Sequence, residues 1–356
     1  MAVMIRQAEE TLSIHGPAEL IEAVPYLLGF HPQESLVLVG FSAHHGATGD
    51  SQLGRVEVCL RLDLPPTADN AELLSALGEP LARSAVTDVV ALILTAGVRR
   101  QPRAYERFVV LTSAVMDAMA ATGIEVADVL LATPNVWWSM LCGDAACCPP
   151  EGRIRQVGCS PSAARATFAG LVALPDRDAM CAELDGEASD VRAQLDGQLA
   201  QAQKRLAGAV DGAALRRLLR ADSQALQRAA KQAAIAAGSM SDGAPVSKRR
   251  LARFGAALMN IAVRDELWMS IDGGELDATA LLRQLHSRLP SPYDAPPLFL
   301  YGWSQWRRGN GTLAGMAAER ALGSDPNYTA ASLLLTAVRN GVNPNTTPLL
   351  NGEMTA

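Results

Sequence analysis

The sequence predicts an α/β domain followed by an all-α domain, and three observations support this fold class. Short β-branched runs alternate with helical patterns over residues 13–158, which predicts a mixed sheet with crossover helices. From residue 159 onward the strand pattern stops and apolar residues recur at helical spacing. Aromatic residues make up 4% of the 356 residues and alanine is abundant, which favours close-packed helices over a β-sandwich. We therefore predict an α/β domain at 13–158 and a helical domain at 159–356.

The elements of the α/β domain follow from the spacing of its apolar residues. Runs rich in β-branched residues predict strands at residues 35–41, 55–62, 88–95, 124–133 and 136–141. Apolar residues three and four positions apart predict helices at residues 17–30, 73–81 and 103–121. Pro25 should kink or end the first helix, and Gly123 stands where a helix C-cap belongs. A polar loop joins the first two strands, so we expect them to form an antiparallel pair.

The second half reads as helices throughout. Five helical patterns cover residues 161–171, 188–206, 213–237, 246–265 and 276–289, with a connector at 238–245. Further on, predicted helices at 297–308 and 312–322 carry small residues and a proline at tetratricopeptide-like spacing, namely Gly302, Ala314, Ala318, Ala321 and Pro326. The match is partial, because Leu298 and Gln305 stand where that unit prefers Trp and Tyr. The hairpin therefore either packs on the helical domain or acts as a scaffold for a protein partner.

Reactive side chains are densest in a cysteine-rich segment after the last predicted strand. Four of the six cysteines lie there, at Cys142, Cys147, Cys148 and Cys159. Thiolates bind zinc tetrahedrally, and turns rich in Gly and Pro let neighbouring ligands converge. The spacing is not that of a common zinc knuckle, and adjacent cysteines rarely ligate one ion together. Three hypotheses remain open, which are reduced structural thiols, a zinc site, and a redox-active or nucleophilic thiol.

Polar residues also collect at the ends of predicted strands. The candidate ligand-binding residues are His31, Glu34, Ser35, Arg61, Asp63, Trp138 and Ser139. Ligands of open α/β sheets bind at strand ends, so we predict one polar pocket formed by these residues and the cysteine-rich segment. His31 can titrate near neutral pH and could act as a base there. The alternative is that these side chains only satisfy the backbone of turns.

Charge and motifs exclude several classes of function. The net charge is −6, although residues 192–253 hold twelve basic and four acidic residues. Those basic residues alternate with leucines, which is typical of a solvated helix face, and the sequence favours an acidic protein surface over nucleic acid as their partner. No phosphate-binding loop, dinucleotide fingerprint, HExxH or GxSxG motif occurs. The common cofactor classes therefore lose support.

The chain carries no pattern for export or for a membrane. The first twelve residues include Arg6 and Glu9 and no apolar stretch of a signal peptide. The longest apolar run, residues 89–94, is far shorter than the roughly 20 residues that span a bilayer. We therefore predict a cytoplasmic protein.

Several motifs together resemble a known family. They are Pro17-Ala-Glu-Leu, Ala23-Val-Pro-Tyr-Leu-Leu-Gly-Phe-His-Pro32, Glu34-Ser-Leu-Val-Leu-Val-Gly40, Arg61-Leu-Asp-Leu-Pro65, Trp138-Ser139 and Cys147-Cys-Pro-Pro-Glu-Gly152. The chain is similar in these motifs to the domain-of-unknown-function family 4192, and the tail around Trp303 and Asp325-Pro326 is similar as well. The family usually has Tyr after Trp-Trp-Ser, where this chain has Met140. The resemblance implies an actinobacterial cytoplasmic protein and no particular reaction.

Three functional hypotheses follow from the sequence. The first is a regulatory protein that binds a ligand or partner through the polar pocket, with the helical half as a surface for a protein partner or for self-association. The second is a hydrolase or thiol-dependent enzyme that uses His31 with Cys147 or Ser35. The third is a helical scaffold built on the tetratricopeptide-like hairpin. No cofactor follows from the sequence except zinc as one hypothesis for the cysteines.

Overall fold

In a computed structural model of the protein, the structure describes residues 2–7, 10–43, 53–66, 70–97, 102–155, 161–168, 172–238, 245–344 and 347–350. The chain separates into one unit of Met1–Met180 with Arg339–Asn343 and a second unit of Cys181–Val338 with Pro344–Ala356. The domain boundary predicted between residues 158 and 159 stays a prediction.

The first unit contains a six-stranded mixed sheet and a separate hairpin. The hairpin strands are β1 (Ala2–Gln7) and β2 (Glu10–His15). The sheet strands are β3 (Ser35–Phe41), β4 (Val56–Asp63), β5 (Asp88–Leu94), β6 (Glu125–Ala132), β7 (Val136–Ser139) and β8 (Arg153–Ile154). Their order across the sheet is β4-β3-β5-β6-β7-β8. The mixed sheet predicted from the sequence is confirmed.

Helices connect several strands of this unit, and one more helix follows the last strand. They are α1 (Gly16–Leu28), α2 (Asn70–Leu73), a π-helical turn (Leu74–Gly78), α3 (Glu79–Ala82), α4 (Pro102–Ala120) and α5 (Pro161–Phe168). Pro25 does not end α1, which continues for three more residues to Leu28. Gly123 has φ of 76°, the left-handed conformation expected after a helix C-terminus.

The pairing of β3 explains the sheet topology. β3 is antiparallel to both β4 and β5, while β5 is parallel to β6. The helices α2 and α3 therefore connect two strands of the same direction on either side of β3, and α4 connects the adjacent parallel pair β5 and β6. All seven residues of β3 are buried, as expected for an internal strand without charged residues.

Alternation along the strands separates the two faces of the sheet. Leu36 and Leu38 of β3 belong to a core that also contains Leu81 of α3 and Phe108 of α4. Ser35 and the other odd-numbered residues of β3 point to the opposite face, because side chains alternate along a strand. By the register of β3 against β4, Arg61 and Asp63 share this face with Ser35.

Ten helices follow α5 within the residues that the structure describes. They are α6 (Arg177–Ala182), α7 (Ser189–Ala193), α8 (Asp196–Ala207), α9 (Gly212–Gly238), α10 (Lys248–Leu258), α11 (Ile261–Asp272), α12 (Thr279–Arg288), α13 (Ala295–Arg307), α14 (Gly311–Ser324) and α15 (Thr329–Arg339). A helical second half is thus confirmed. None of the helices in the described ranges combines the length and the apolar character that crossing a membrane requires.

The structure corrects several element boundaries. The pattern at 246–265 forms two helices, because the Asn260 side chain accepts a hydrogen bond from the Ala262 amide and begins a new helix at Ile261. The pattern at 188–206 is likewise split into α7 and α8. The β1–β2 hairpin, α6 and α15 were not predicted, since these segments are short or lie where no period stands out.

Candidate functional site

The predicted site residues form two groups, and the first is a strand-end network of Glu34, Ser35, Arg61 and Asp63. The Arg61 Nε donates a hydrogen bond of 2.9 Å to the Ser35 hydroxyl, which donates in turn to the Gln33 carbonyl at 2.7 Å. The Arg61 guanidinium also pairs with Asp63 at 2.5 Å. Ser35 is fully buried, whereas the Asp63 side chain is 78% exposed. The buried polar atoms named here therefore satisfy one another.

Glu34, which directly precedes β3, forms hydrogen bonds with the residues that follow β4 and β5. Its carboxylate accepts hydrogen bonds from the Thr95 hydroxyl at 2.9 Å and from the Ala96 amide at 2.7 Å, just after β5. Its backbone carbonyl accepts a bond from the Leu64 amide, just after β4. Glu34 has φ of 39°, a left-handed conformation that costs a non-glycine residue about 1 kcal/mol or more. These bonds hold it there.

His31 is exposed and does not join this network through any hydrogen bond among the described residues. Its backbone amide donates to the Leu174 carbonyl at 2.9 Å, next to the bridge between Phe30 and Leu174. The Phe30 ring lies 6.0 Å from the Arg61 guanidinium carbon. Ser35 already donates its only hydroxyl proton to Gln33, so the arrangement does not pair His31 with Ser35 as base and nucleophile.

The second group is the cysteine turn, residues 142–148, and the structure separates it from the strand-end network. The turn follows β7, and β5 and β6 lie between β7 and β3. At about 4.8 Å per strand spacing, strands β3 and β7 are roughly 14 Å apart across the sheet. Strand order, which local sequence does not encode, therefore does not place the two groups side by side. The single pocket predicted from the sequence, and the pairing of His31 with Cys147, stay predictions.

Backbone hydrogen bonds fold the cysteine turn. The carbonyl of Asp144 accepts bonds from the amides of Cys147 and Cys148, at 3.1 and 2.7 Å. The amide of Cys142 donates to the Ser139 hydroxyl at 3.2 Å. These bonds bring both ends of the turn together. As a result, the three Sγ atoms of Cys142, Cys147 and Cys148 all lie within 4.8 Å of one another.

Two of the three thiols, Cys142 and Cys148, differ in acidity because their surroundings differ. The pKa of Cys142 is lowered, chiefly by a hydrogen bond with the backbone of Asp144 and then by one with the Cys148 thiol. Burial raises the pKa of Cys148, against a hydrogen bond to the backbone of Ser139. Cys142 is therefore the thiol of this pair that ionises more readily. Cys159, the fourth cysteine predicted for this group, lies outside the described residues.

Ser139 connects the turn to a carboxyl group that sequence reasoning missed. Its hydroxyl donates to Asp128 of β6 at 2.6 Å, and the Val129 amide donates to the same oxygen at 2.8 Å. Burial raises the pKa of Asp128 despite these two bonds, which lower it. A carboxylate between the apolar residues Ala127 and Val129, in the interior of β6, was the available signal. Its partner could not be read from the sequence, because it depends on the register of β6 against β7.

Arg153 is the second residue that the sequence did not indicate. Its guanidinium donates to the Cys147 carbonyl, and one of its nitrogens lies 3.9 Å from the Cys147 sulfur. The guanidinium carbon also lies 5.9 Å from the centre of the Trp137 ring. A positive charge is thus held beside the Cys147 sulfur.

Trp138 anchors the chain that follows the cysteines. Its indole N–H donates to the Pro150 carbonyl at 3.2 Å, and its ring covers Gly152 so closely that a Cβ there would come within 2.7 Å of the ring. Gly152 also has φ of 83°. Both facts require glycine at this position. Trp138, predicted as a ligand-binding residue, thus contacts the backbone that returns from the turn.

Comparison with known proteins identifies the family. The family model described as "Domain of unknown function (DUF4192)" matches residues 17–345. No curated protein matches the chain. No solved structure matches it either.

Proposed function

We propose that the chain is a zinc-binding regulatory protein. It belongs to the DUF4192 family, and membership of that family implies no particular reaction. The metal is held by the thiolates of Cys142, Cys147 and Cys148. The observation that carries the proposal is the convergence of their three Sγ atoms within 4.8 Å of one another. The protein is thus a ligand-binding regulator, as the first hypothesis from the sequence has it, with zinc as the ligand and the cysteine turn as its site.

The distances between the sulfur atoms suit zinc. With Zn–S bonds of about 2.3 Å, two sulfurs of a tetrahedral site are roughly 3.8 Å apart. The thiols of the turn reach that separation by moving inward by less than a bond length. The backbone bonds to Asp144 and Ser139 already fix the turn, so binding orders little additional chain.

Charge also favours a metal here. Three thiolates and one Zn2+ carry a net charge of −1, which the Arg153 guanidinium beside Cys147 offsets. Three protein ligands leave the fourth tetrahedral position to a ligand that the described histidines, cysteines and carboxylates do not supply. Zinc sites with such a position bind an exchangeable ligand, whereas sites with four protein ligands are structural. An exchangeable ligand suits a regulatory role.

Elemental analysis of protein purified anaerobically without an affinity tag tests this proposal. We expect one zinc per chain in the wild type and at least a tenfold loss of zinc affinity in Cys142→Ser, Cys147→Ser and Cys148→Ser. Cys59→Ala is the matched control, because Cys59 lies on β4 away from the turn. Wild-type protein without zinc, and without affinity for added zinc, would refute the proposal.

A thiol-dependent activity is the second candidate, and the lowered pKa of Cys142 favours it. In metal-free protein, a partly exposed thiol with a lowered pKa forms the nucleophilic thiolate more readily than an ordinary cysteine. The strand order disfavours a hydrolase in which His31 acts as base for Cys147, because β5 and β6 lie between β3 and the strand that precedes the turn.

Alkylation with iodoacetamide, read by peptide mass spectrometry, measures this reactivity. We expect Cys142 of metal-free protein to react with an apparent pKa below the value of about 8.5 for a free cysteine. Cys59 should stay unmodified at pH 7, because burial raises its pKa to about 12. Zinc should protect Cys142. Equal rates at Cys142 and in the unfolded protein would exclude the thiol-dependent activity.

For the helical unit we propose that α13 and α14 form a tetratricopeptide-like hairpin. A Cβ on Gly302 of α13 would lie 3.1 Å from the Ala314 carbonyl and the Ala317 Cβ of α14, a close approach that supports small residues at this contact. Trp303 and Trp306 are 9% and 3% exposed. Their burial favours a packing role for the hairpin over a partner-binding groove. The cytoplasmic location and actinobacterial origin likewise stay proposals.

A further inference from the structure

Helix α9 presents a basic face that neither the cysteine turn nor the strand-end network involves. Five exposed side chains form this face, namely Arg216, Arg217, Arg220, Arg228 and Lys231. At 100° per residue they fall within an arc of about 120°, and they extend over roughly 22 Å of the helix axis. The buried side of α9, which includes Leu226 and Ala230, lies on the other side of the helix.

Ion pairing distinguishes this face from most other arginines of the helical unit. Nine arginines of the described helical unit pair with carboxylates, as Arg205 and Arg253 do with the buried Asp222 of α9. The five cations of the basic face form no ion pair with any residue the structure describes. The carboxylate of Glu266 in α11 accepts a hydrogen bond from Gln227, which lies within the same arc, and forms no ion pair with the five cations among the described residues. The charge of this face is therefore available to a partner.

The composition of the face indicates which polyanion it fits. Protein interfaces need an apolar core that excludes water, but Ile235 is the only large apolar side chain exposed on α9 within the described residues. Single-stranded nucleic acid is bound largely through aromatic stacking, and the sequence of α9 contains no aromatic residue. Phosphate contacts to a duplex require neither feature.

We infer that the basic face of α9 binds the phosphate backbone of double-stranded DNA without sequence preference. A helix of 10–12 Å diameter fits a major groove of about 12 Å, and 22 Å of helix covers about six base pairs. Arginine, which dominates the face, matches the geometry of phosphate oxygens. Outside residues 192–253 the chain has nineteen basic and thirty-three acidic residues, so the rest of the protein repels the polyanion. From sequence alone an acidic protein was the favoured partner of these residues.

Fluorescence anisotropy with a labelled 20-base-pair DNA duplex of mixed sequence tests this inference on the full-length protein. The affinity is measured between roughly 20 and 200 mM salt, because each phosphate contact contributes about 0.9 to the slope of log K against log salt. We expect a wild-type slope near −4. Arg217→Gln with Arg220→Gln should weaken binding at least tenfold at low salt and make the slope less steep by about 2.

A matched double variant separates the basic face from total charge. Arg249→Gln with Arg250→Gln removes the same charge from α10, which contacts α9 through Arg253 and Asp222, away from the basic face. We expect its slope to equal that of the wild type, and circular dichroism checks that both variants keep their helices. Equal losses in the two double variants, no wild-type binding at 20 mM salt, or displacement of the duplex by poly-L-glutamate at equal charge would each overturn the inference. The last result would indicate an acidic protein instead.

Discussion

The strand-end network and the cysteine turn both hold polar side chains in turns of the same sheet, yet their chemistry differs. In the network, Ser35, Arg61 and Glu34 use their hydrogen-bonding groups on one another and on the backbone. In the turn, three sulfur atoms approach one another although none is a strong partner for the others. Groups that satisfy each other stabilise a fold. The sulfur atoms of the turn are weak hydrogen-bond partners for one another, so they remain available to bind a metal ion.

The largest effect that sharpens this comparison is stabilisation by zinc. A ligand that binds only the folded state adds about 4.1 kcal/mol to the free energy of unfolding at a thousandfold excess over its Kd. We expect urea denaturation to give this gain for the wild type and for Arg61→Ala. For Cys148→Ser, whose affinity should be at least tenfold weaker, we expect a gain smaller by about 1.4 kcal/mol or more. A gain of the same size in Cys148→Ser would mean that zinc binds elsewhere.

Breaking the strand-end network should cost the next largest amount. Arg61→Ala leaves the buried Ser35 hydroxyl without its donor and removes the partner of Asp63. Losing a hydrogen bond to a charged, partly buried group costs about 2–3 kcal/mol, and we expect that loss in urea denaturation. The zinc content should be unchanged. A variant that keeps its stability and loses zinc would reverse the roles assigned to the two regions.

Asp128→Ala probes the support of the turn without touching a thiol. Asp128 fixes Ser139, whose hydroxyl accepts the Cys142 amide. Residues that orient metal ligands in this way contribute about 10- to 100-fold to metal affinity. We expect a loss in that range in a competition titration with a zinc indicator, while one zinc still binds at saturation. Ser139→Ala should match it, and unchanged affinity in both variants would make the Asp128–Ser139 pair irrelevant to the metal.

The smallest expected effect concerns backbone strain at Glu34. Glu34→Ala removes the bonds to Thr95 and Ala96 and keeps a Cβ at φ of 39°, whereas Glu34→Gly removes the same bonds and the strain. We therefore expect the glycine variant to be about 1 kcal/mol more stable than the alanine variant in thermal unfolding. A less stable glycine variant would show that the left-handed conformation carries no strain.

Much of the sheet could be predicted from the sequence, because strands such as β3 and β5 are continuous apolar runs and α4 has a clear helical period. Three thiols of the turn could also be grouped, since they are close in the chain. The separation of the strand-end network from the cysteine turn could not be predicted, because it depends on strand order. Two strands that follow β3 in sequence lie between β3 and β7. Asp128 and Arg153 were missed for a related reason. Their partners depend on the register of neighbouring strands, which only the folded sheet defines.

Zinc-edge X-ray absorption of the wild-type protein is the most direct test of the central claim, that the three thiols of the cysteine turn bind one metal. We predict three sulfur neighbours at about 2.3 Å and one lighter neighbour at about 2.0 Å. In Cys147→Ser the sulfur shell should fall to two or the metal should be lost. A zinc ion surrounded by nitrogen and oxygen alone would contradict the account.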